Sequence, residues 1–273
     1  LVRDLTLKIA TWNVNSVNAR LPTVLEALKT CAADVWCLQE IKCVDEKFPR
    51  EAMEALGYNV AVHGQKTYNG VAILSKHRLS DVRRGLPGTD DSGVEADGEQ
   101  ARYLEAVIEA PRPIRVAAIY LPNGNPIGTA KFDYKLSWFR RLHDHARDLL
   151  ALEEPLALCG DYNVIPEPQD AKNPEAWIGD ALFQPQSRAA LRALKWLGLA
   201  DASELGNQPP GAFTFWDYQA GAWQRDHGIR IDFALLSSQA ADRFRGIETH
   251  REARAMDKPS DHVPVVVDID LDD

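Results

Sequence analysis

Cysteine is scarce, with four residues in a chain of 273, and no two of them form a CxxC pair. That scarcity argues against a disulfide framework and gives little support to thiolate zinc ligation. Cys37 and Cys159 sit inside apolar runs, so both read as buried, reduced thiols of a cytosolic protein. No run approaches the roughly 18 apolar residues that a membrane-spanning helix needs. The opening Leu1-Val-Arg-Asp-Leu lacks the charged-then-apolar pattern of a secretory signal. The expectation is a soluble, cytoplasmic protein without a membrane partner. There is no repeat of fixed period and no linker rich in Gly or Ser, so residues 1–273 read as one domain. Positive charge is in deficit too: 31 Lys and Arg face 40 Asp and Glu, for a net charge of −9. Taken alone, that deficit argues against a nucleic-acid binder, because neutralising phosphates needs Lys and Arg.

Apolar residues, by contrast, make up 45% of the chain, and charged ones 26%, an ordinary globular composition. A chain this long buries roughly 75% of its unfolded surface, which suffices for one large core. Leu7 to Trp12 reads as a strand, Leu21, Val24, Leu25 and Leu28 as one face of a helix, and Asp34 to Leu38 as a second strand. Together they form a βαβ unit. Further strands are expected at 58–62, 70–75, 102–108, 114–120, 155–159, 230–236 and 263–269. Helices are expected near 49–56 and 187–197, with a long one within 129–152. In the long helix Phe132, Leu136, Phe139 and Leu142 give the apolar stripe, and Lys131, Lys135, Arg140, Arg141 and Arg147 its basic sides. His143 and His145 read as surface residues. Residues 88–100 carry five acids and no base, as a solvated loop would. Residues 166–186, rich in Pro, Asp and Gln, are longer than a plain connection.

Polar residues repeatedly follow or flank the short buried strands, where α/β folds place their sites. Asn13 follows one strand and Gln39-Glu40 a second; Asp161 and Asn163 follow a third. Asp232 lies within another, and Asp261-His262 precedes the last. A lone carboxylate beside a strand is more often a cap, but five such places supplying only amides, carboxylates and His point to one site. Carboxylates with amide oxygens suit a hard cation such as Mg²⁺ or Mn²⁺ and match zinc poorly. Phosphodiester hydrolysis needs a metal to polarise the phosphate, an Asp or His to activate water, and donors such as Asn, Tyr or His for the growing charge. A Ser-His-Asp site built on His262 and Asp232 is the competing reading, but no GxSxG elbow is present.

Eight segments in order carry a resemblance: Ala10-Thr-Trp-Asn-Val-Asn, Leu38-Gln-Glu-Ile-Lys42, Asn69-Gly-Val-Ala-Ile-Leu, Tyr120-Leu-Pro-Asn-Gly124, Gly160-Asp-Tyr-Asn163, Phe213-Thr-Phe-Trp-Asp-Tyr218, Arg230-Ile-Asp232 and Pro259-Ser-Asp-His262. They resemble the ordered motifs of the exonuclease III family, the AP-endonuclease branch of the exonuclease/endonuclease/phosphatase superfamily. The resemblance implies a four-layer α/β sandwich, two mixed β-sheets packed face to face with helices on the outside. It implies Glu40 as principal metal ligand with Asn13 and Asp261 close by. Asp161 would orient or deprotonate the attacking water, with His262 the alternative general base, and Asn163 would hold the water. His262, oriented by Asp232, would contact the scissile phosphate, and Tyr120 would lie against the phosphate or leaving group. Asp161, Asn163 and His262 are carried over as metal neighbours as well, because sequence does not sort metal from proton roles. Asn15 stands where some relatives carry a supporting Asp, which puts a second metal position in doubt.

The same resemblance places Trp216, and less firmly Phe215, beside a damaged nucleotide, and makes Lys42, Asn123, Lys131 and Arg225 candidate phosphate contacts. The implied partner is double-stranded DNA with abasic sites or damaged 3′ ends, cut by a monomer using Mg²⁺ or Mn²⁺. A phosphatase for inositol phosphates or phospholipids, and a silent DNA-binding module, are the rival classes. Under this reading the net charge changes meaning. Segment 88–100 and the C-terminal Asp268, Asp270, Asp272 and Asp273 hold the excess acid, while residues 66–84 carry five bases and one acid. Local charge then decides whether DNA binds, with an affinity that falls as salt rises.

Overall fold

The computed structural model describes residues 6–89 and 100–272, so most of the acidic segment 88–100 lies outside the described residues. In chain order come β1 (Thr6–Asn13), α1 (Leu21–Thr30), β2 (Val35–Gln39), α2 (Arg50–Glu54), β3 (Asn59–His63), β4 (Val71–Ser75), β5 (Leu79–Arg84), β6 (Tyr103–Ile108) and β7 (Ile114–Tyr120). There follow α3 (Ala130–Leu150), β8 (Leu156–Asp161), α4 (Pro185–Lys195), β9 (Ala200–Asp201), α5 (Ala202–Leu205), β10 (Asp232–Leu236), α6 (Ser238–Ala241), β11 (Phe244–Thr249) and β12 (Val265–Asp270). The strands form two mixed six-stranded sheets, in the orders β11-β12-β1-β2-β4-β3 and β5-β6-β7-β8-β10-β9.

Alternation along each strand builds the layers. Ile9, Val35, Cys37 and Ile73 from the first sheet meet Ala106, Val116, Ala118, Cys159 and Ala234 from the second in a shared core. Their strand neighbours face outward: Trp36 and Leu38 pack with Val24 and Leu28 of α1, while Ile119, Leu158 and Phe233 pack with Phe139, Leu142 and Leu191 of α3 and α4. Each such buried side chain contributes about 1.5–3 kcal/mol. The expected four-layer α/β sandwich is therefore present, and all four cysteines are free and buried. No helix among the described residues is long and apolar enough to cross a membrane.

Register brings the chemistry to one end. Strands β1 and β2 run parallel with Asn13 opposite Gln39, and β7 and β8 run parallel with Tyr120 opposite Asp161. Strand β10 is antiparallel to β8 and starts with Asp232 opposite Asp161; β12 is antiparallel to β1, so Asp261 and His262 enter from the same edge. Gly160 is required at this edge because a Cβ there would lie 2.0 Å from the Ile119 carbonyl oxygen.

Several expectations need correction. The edge strands β5 and β11 were not anticipated: their residues are mostly part-exposed and polar, so pairing with β6 and β12 defines them better than alternation does. His145 is buried, not a surface residue, with Nε2 2.7 Å from Glu105 Oε2. Lys135 is no part of a basic helix side, since it is fully buried. The bases of 66–84 are largely engaged within the fold. Lys76 pairs with Asp34, Arg78 with Glu109 and Arg83 with Glu105, while Arg84 donates to the Val62 carbonyl.

Candidate active site

The mouth between the two sheets is bridged by one amide. Asn13, fully buried at the end of β1, donates through Nδ2 to Glu40 Oε1 (2.8 Å) on its own sheet and to Asp161 Oδ2 (3.0 Å) on the other. Its Oδ1 accepts the Asn15 N–H at 3.0 Å, so its amide oxygen is turned to the backbone. Asn13 therefore braces the carboxylates as a donor, and its expected metal-ligand role is not what this geometry offers. Ser260, also fully buried, donates to the Asn13 carbonyl at 2.6 Å and accepts the His262 N–H at 3.2 Å, locking the Asp261-His262 segment onto β1.

A line of hydrogen-bonding groups runs across the second sheet. Asp232 Oδ2 lies 2.9 Å from His262 Nδ1, and His262 Nε2 faces Asp161 Oδ2 at 3.7 Å. Burial alone would lower the imidazole pKa, but Asp232 and Asp161 on its two sides raise it to about 10. Nδ1 is committed to Asp232, which leaves Nε2 turned toward Asp161 and the mouth of the site. Burial drives Asp161 the other way, up to about 7, and the neighbouring Asp232 adds to the rise against the opposing pull of His262. Asp232 Oδ1 is buried without a partner among the described residues. Phe215 closes the histidine's flank, with ring centroids 4.9 Å apart.

Around Glu40 the charges are mixed. Lys42 Nζ is 2.8 Å from Glu40 Oε2 and donates to Asn15 Oδ1 at 2.5 Å, while Asn15 Nδ2 donates to Asp261 Oδ1 at 3.1 Å. Burial would raise the Glu40 pKa, but Lys42 and Asn13 hold it below the usual carboxylate range. Lys42 is thus drawn into the site and is not a free outer phosphate contact. Glu40 (φ 51°) and Asn163 (φ 49°) both adopt left-handed backbone. Each such conformation costs on the order of 1 kcal/mol and persists where surrounding contacts enforce it, as at functional sites. Tyr120 is half-buried beneath the Arg102 guanidinium, 4.7 Å from the ring centroid. Burial and the Glu40 charge push its phenol well above its usual value, so it stays a neutral donor.

Asn163 ends the list of expected residues that converge. Its N–H donates to Asp161 Oδ1 (2.9 Å), its Nδ2 to the Leu121 carbonyl (2.9 Å), and its Oδ1 accepts from Asn123 Nδ2 (3.2 Å). Both ends of the amide are engaged within the protein, so Asn163 shapes the site rather than offering a free ligand atom. Asn123 itself is exposed beside it. Lys131 and Arg225 are exposed, and among the described residues no hydrogen bond or ion pair ties either to this cluster. Trp216 corrects the expectation of a nucleotide contact: it is fully buried, stacked edge-on with Phe213 and Trp223, with Nε1 bonded to Asp226 at 3.1 Å. Phe215, against His262, is the part-exposed aromatic of this segment. Sequence reading missed Ser260, Arg102 and Lys135, the last because a lysine in a helical stripe reads as a solvated flank. Burial lowers the Lys135 amine to about 7, although Asp161 and Asp180 oppose the fall.

The donor set can be tested against a divalent ion. Glu40 and Asp261 supply oxygen at the outer end, all four cysteines are buried elsewhere in the fold, and the buried carboxylate oxygen Asp232 Oδ1 has no partner among the described residues. Asp161, Asp232 and His262 also lie within ligating reach of one another, with His262 Nδ1 bonded to Asp232. An oxygen-rich, thiol-free site fits a hard cation.

Comparison with known proteins agrees. The model of the endonuclease/exonuclease/phosphatase family matches residues 10–262. Exodeoxyribonuclease III of Haemophilus influenzae is 34% identical over 95% of this chain and 98% of its own. A 3′ phosphatase from Neisseria, solved with a product DNA hairpin, superposes with a TM-score of 0.88 at 35% identity, covering 97% of this chain and 99% of that one. An AP endonuclease from Archaeoglobus fulgidus gives a TM-score of 0.87 at 34% identity, covering 96% and 98%. Dependence on a divalent metal is typical of the family. This chain belongs to the endonuclease/exonuclease/phosphatase family, on its exonuclease III branch.

Proposed function

We propose that this enzyme is a DNA-repair phosphodiesterase that cuts duplex DNA 5′ to abasic sites and removes nucleotides or blocking groups from 3′ ends, working as a single-domain monomer with Mg²⁺ or Mn²⁺. The observation that carries the reading is the placement of Asp161 between Asn13 (3.0 Å) and His262 (3.7 Å), with Asp232 behind the histidine. A carboxylate raised to about 7 accepts a proton near neutral pH, so Asp161 takes the proton of the attacking water. Protonated His262, with Asp232 fixing its ring, donates to the phosphate oxygens as negative charge builds. Tyr120, kept neutral, adds a second donor. Glu40 and Asp261 would hold the divalent ion, which polarises the phosphate when bound. Phe215 offers the apolar wall for a displaced sugar. The motif order and the DNA-acting relatives support this substrate class over inositol phosphates or phospholipids.

Two labelled duplexes test the proposal, one with an abasic analogue and one with a 3′ phosphate, each incubated with Mg²⁺, with Mn²⁺ and with EDTA. Incision and 3′ trimming that need metal and weaken with salt are expected. Turnover of a small phosphate ester with no cleavage of either duplex would defeat it.

A further inference from the structure

One lysine stands where the helix pattern asks for a hydrophobic residue. The face that α3 turns to the sheet runs through Phe132, Phe139, Leu142, Ala146 and Leu149, and Lys135 lies on that face with none of its surface exposed. Burying an amine there carries a desolvation cost that methionine in the same space would not. Its hydrogen bonds go to two main-chain carbonyl oxygens, that of Asn163 at 2.6 Å and that of Asn123 at 3.0 Å. Those carbonyls belong to the loops that leave β8 and β7, the strands ending in Asp161 and Tyr120.

The two loops are also joined to each other, through Asn123 Nδ2 and Asn163 Oδ1 at 3.2 Å. The Asn163 backbone is held from both sides. Its N–H grips Asp161 Oδ1 at 2.9 Å, and its carbonyl is anchored by Lys135. That double hold opposes relaxation of Asn163 out of its left-handed conformation. Gly124 lets the first loop lie directly on the lysine stem: its φ is +87°, and a Cβ there would sit 2.6 Å from Lys135 Cδ.

We propose that Lys135 is a positioning residue, whose amine ties the β7 and β8 loops together and so fixes the aim of the Asp161 carboxylate. It touches no reacting atom. The inference rests on the assignment of Asp161 made under Proposed function.

Full-length wild type, Lys135→Met, Lys135→Arg and, as a control on the same helix face, Phe139→Leu are compared by two readouts. The first needs no activity: amide hydrogen exchange at Asn163 should accelerate about tenfold in Lys135→Met and stay near wild type in Phe139→Leu. The second is turnover of an abasic duplex. Lys135→Met should lower kcat by about tenfold to a hundredfold with KM little changed, as expected for a misaimed group. Lys135→Arg should recover most of the loss, and Phe139→Leu should lower Tm without lowering kcat. Unchanged exchange and kcat in Lys135→Met, or kcat falling in step with Tm in both variants, would overturn the proposal. If Lys135→Met does not fold, Gly124→Ala displaces the lysine stem without removing its amine. The same kcat loss is then expected, and an unaltered kcat refutes the clamp. If wild type cuts no duplex, the functional reading has failed, and exchange at Asn163 still decides the clamp.

Discussion

The molecule contains two buried clusters that each set a histidine against a carboxylate, and they are completed differently. On the helix side of the second sheet, Glu105 receives hydrogen bonds from Tyr103 and His145, with Arg115 at 3.5 Å and Arg83 at 3.7 Å. Burial would raise its pKa, but His145, Tyr103 and Arg115 outweigh burial and hold it below the usual carboxylate range. At the mouth of the sandwich, Asp232 keeps one oxygen without a partner among the described residues, and Asp161 rises to about 7. With both Glu105 oxygens engaged, the first cluster serves stability, although Arg115 Nε is left without a partner among the described residues. An incompletely compensated one retains hydrogen-bonding capacity for phosphate, cation and water.

Substitutions separate the two. Removing the mouth histidine, His262→Ala, should lower kcat on an abasic duplex by about 10³-fold while the urea midpoint moves little. Glu105→Gln should do the reverse, leaving kcat unaltered and costing about 3 kcal/mol in urea unfolding. A kcat loss in Glu105→Gln comparable to that of His262→Ala would erase the distinction.

The pH dependence sharpens it. Because the folded pKa of Glu105 lies below the unfolded value, its stabilising contribution is present above the ordinary carboxylate pKa of about 4.3 and is lost as pH falls through the lower folded value. The stability gap between wild type and Glu105→Gln, followed by urea unfolding, should stay constant from neutral pH to mildly acid and close below that range. The smallest effects concern the aromatic wall. Phe215→Ala should raise KM for the abasic duplex about tenfold, while buried Trp216→Phe should leave KM unaltered. The opposite ranking would restore Trp216 as the nucleotide contact.

Much of this was legible in the sequence, for identifiable reasons. Strands β1, β2, β8, β10 and β12 are apolar runs each flanked or bounded by a polar site residue, so pattern and site reinforced each other. Strands β5 and β11 escaped because edge strands take their identity from one neighbour. The converging set of Glu40, Asp161, Asp232, Asp261 and His262 was readable from residue type and position. What Asn13 and Asn163 do was not, because an amide's role depends on which atom faces which neighbour. Lys135 and His145 were read as solvated and Trp216 as a wall. For the first two the hydrogen-bond partner that allows burial comes from a distant part of the chain, Asn163 for Lys135 and Glu105 for His145, while Trp216 is buried among Phe213 and Trp223 and bonds nearby Asp226.

The most direct test of the central claim, that Asp161 activates the attacking water at the incompletely compensated cluster, is single-turnover incision of an abasic duplex by Asp161→Asn with Mg²⁺ present. The account predicts a rate about 10³-fold below wild type with DNA affinity preserved. A rate close to that of wild type would contradict it.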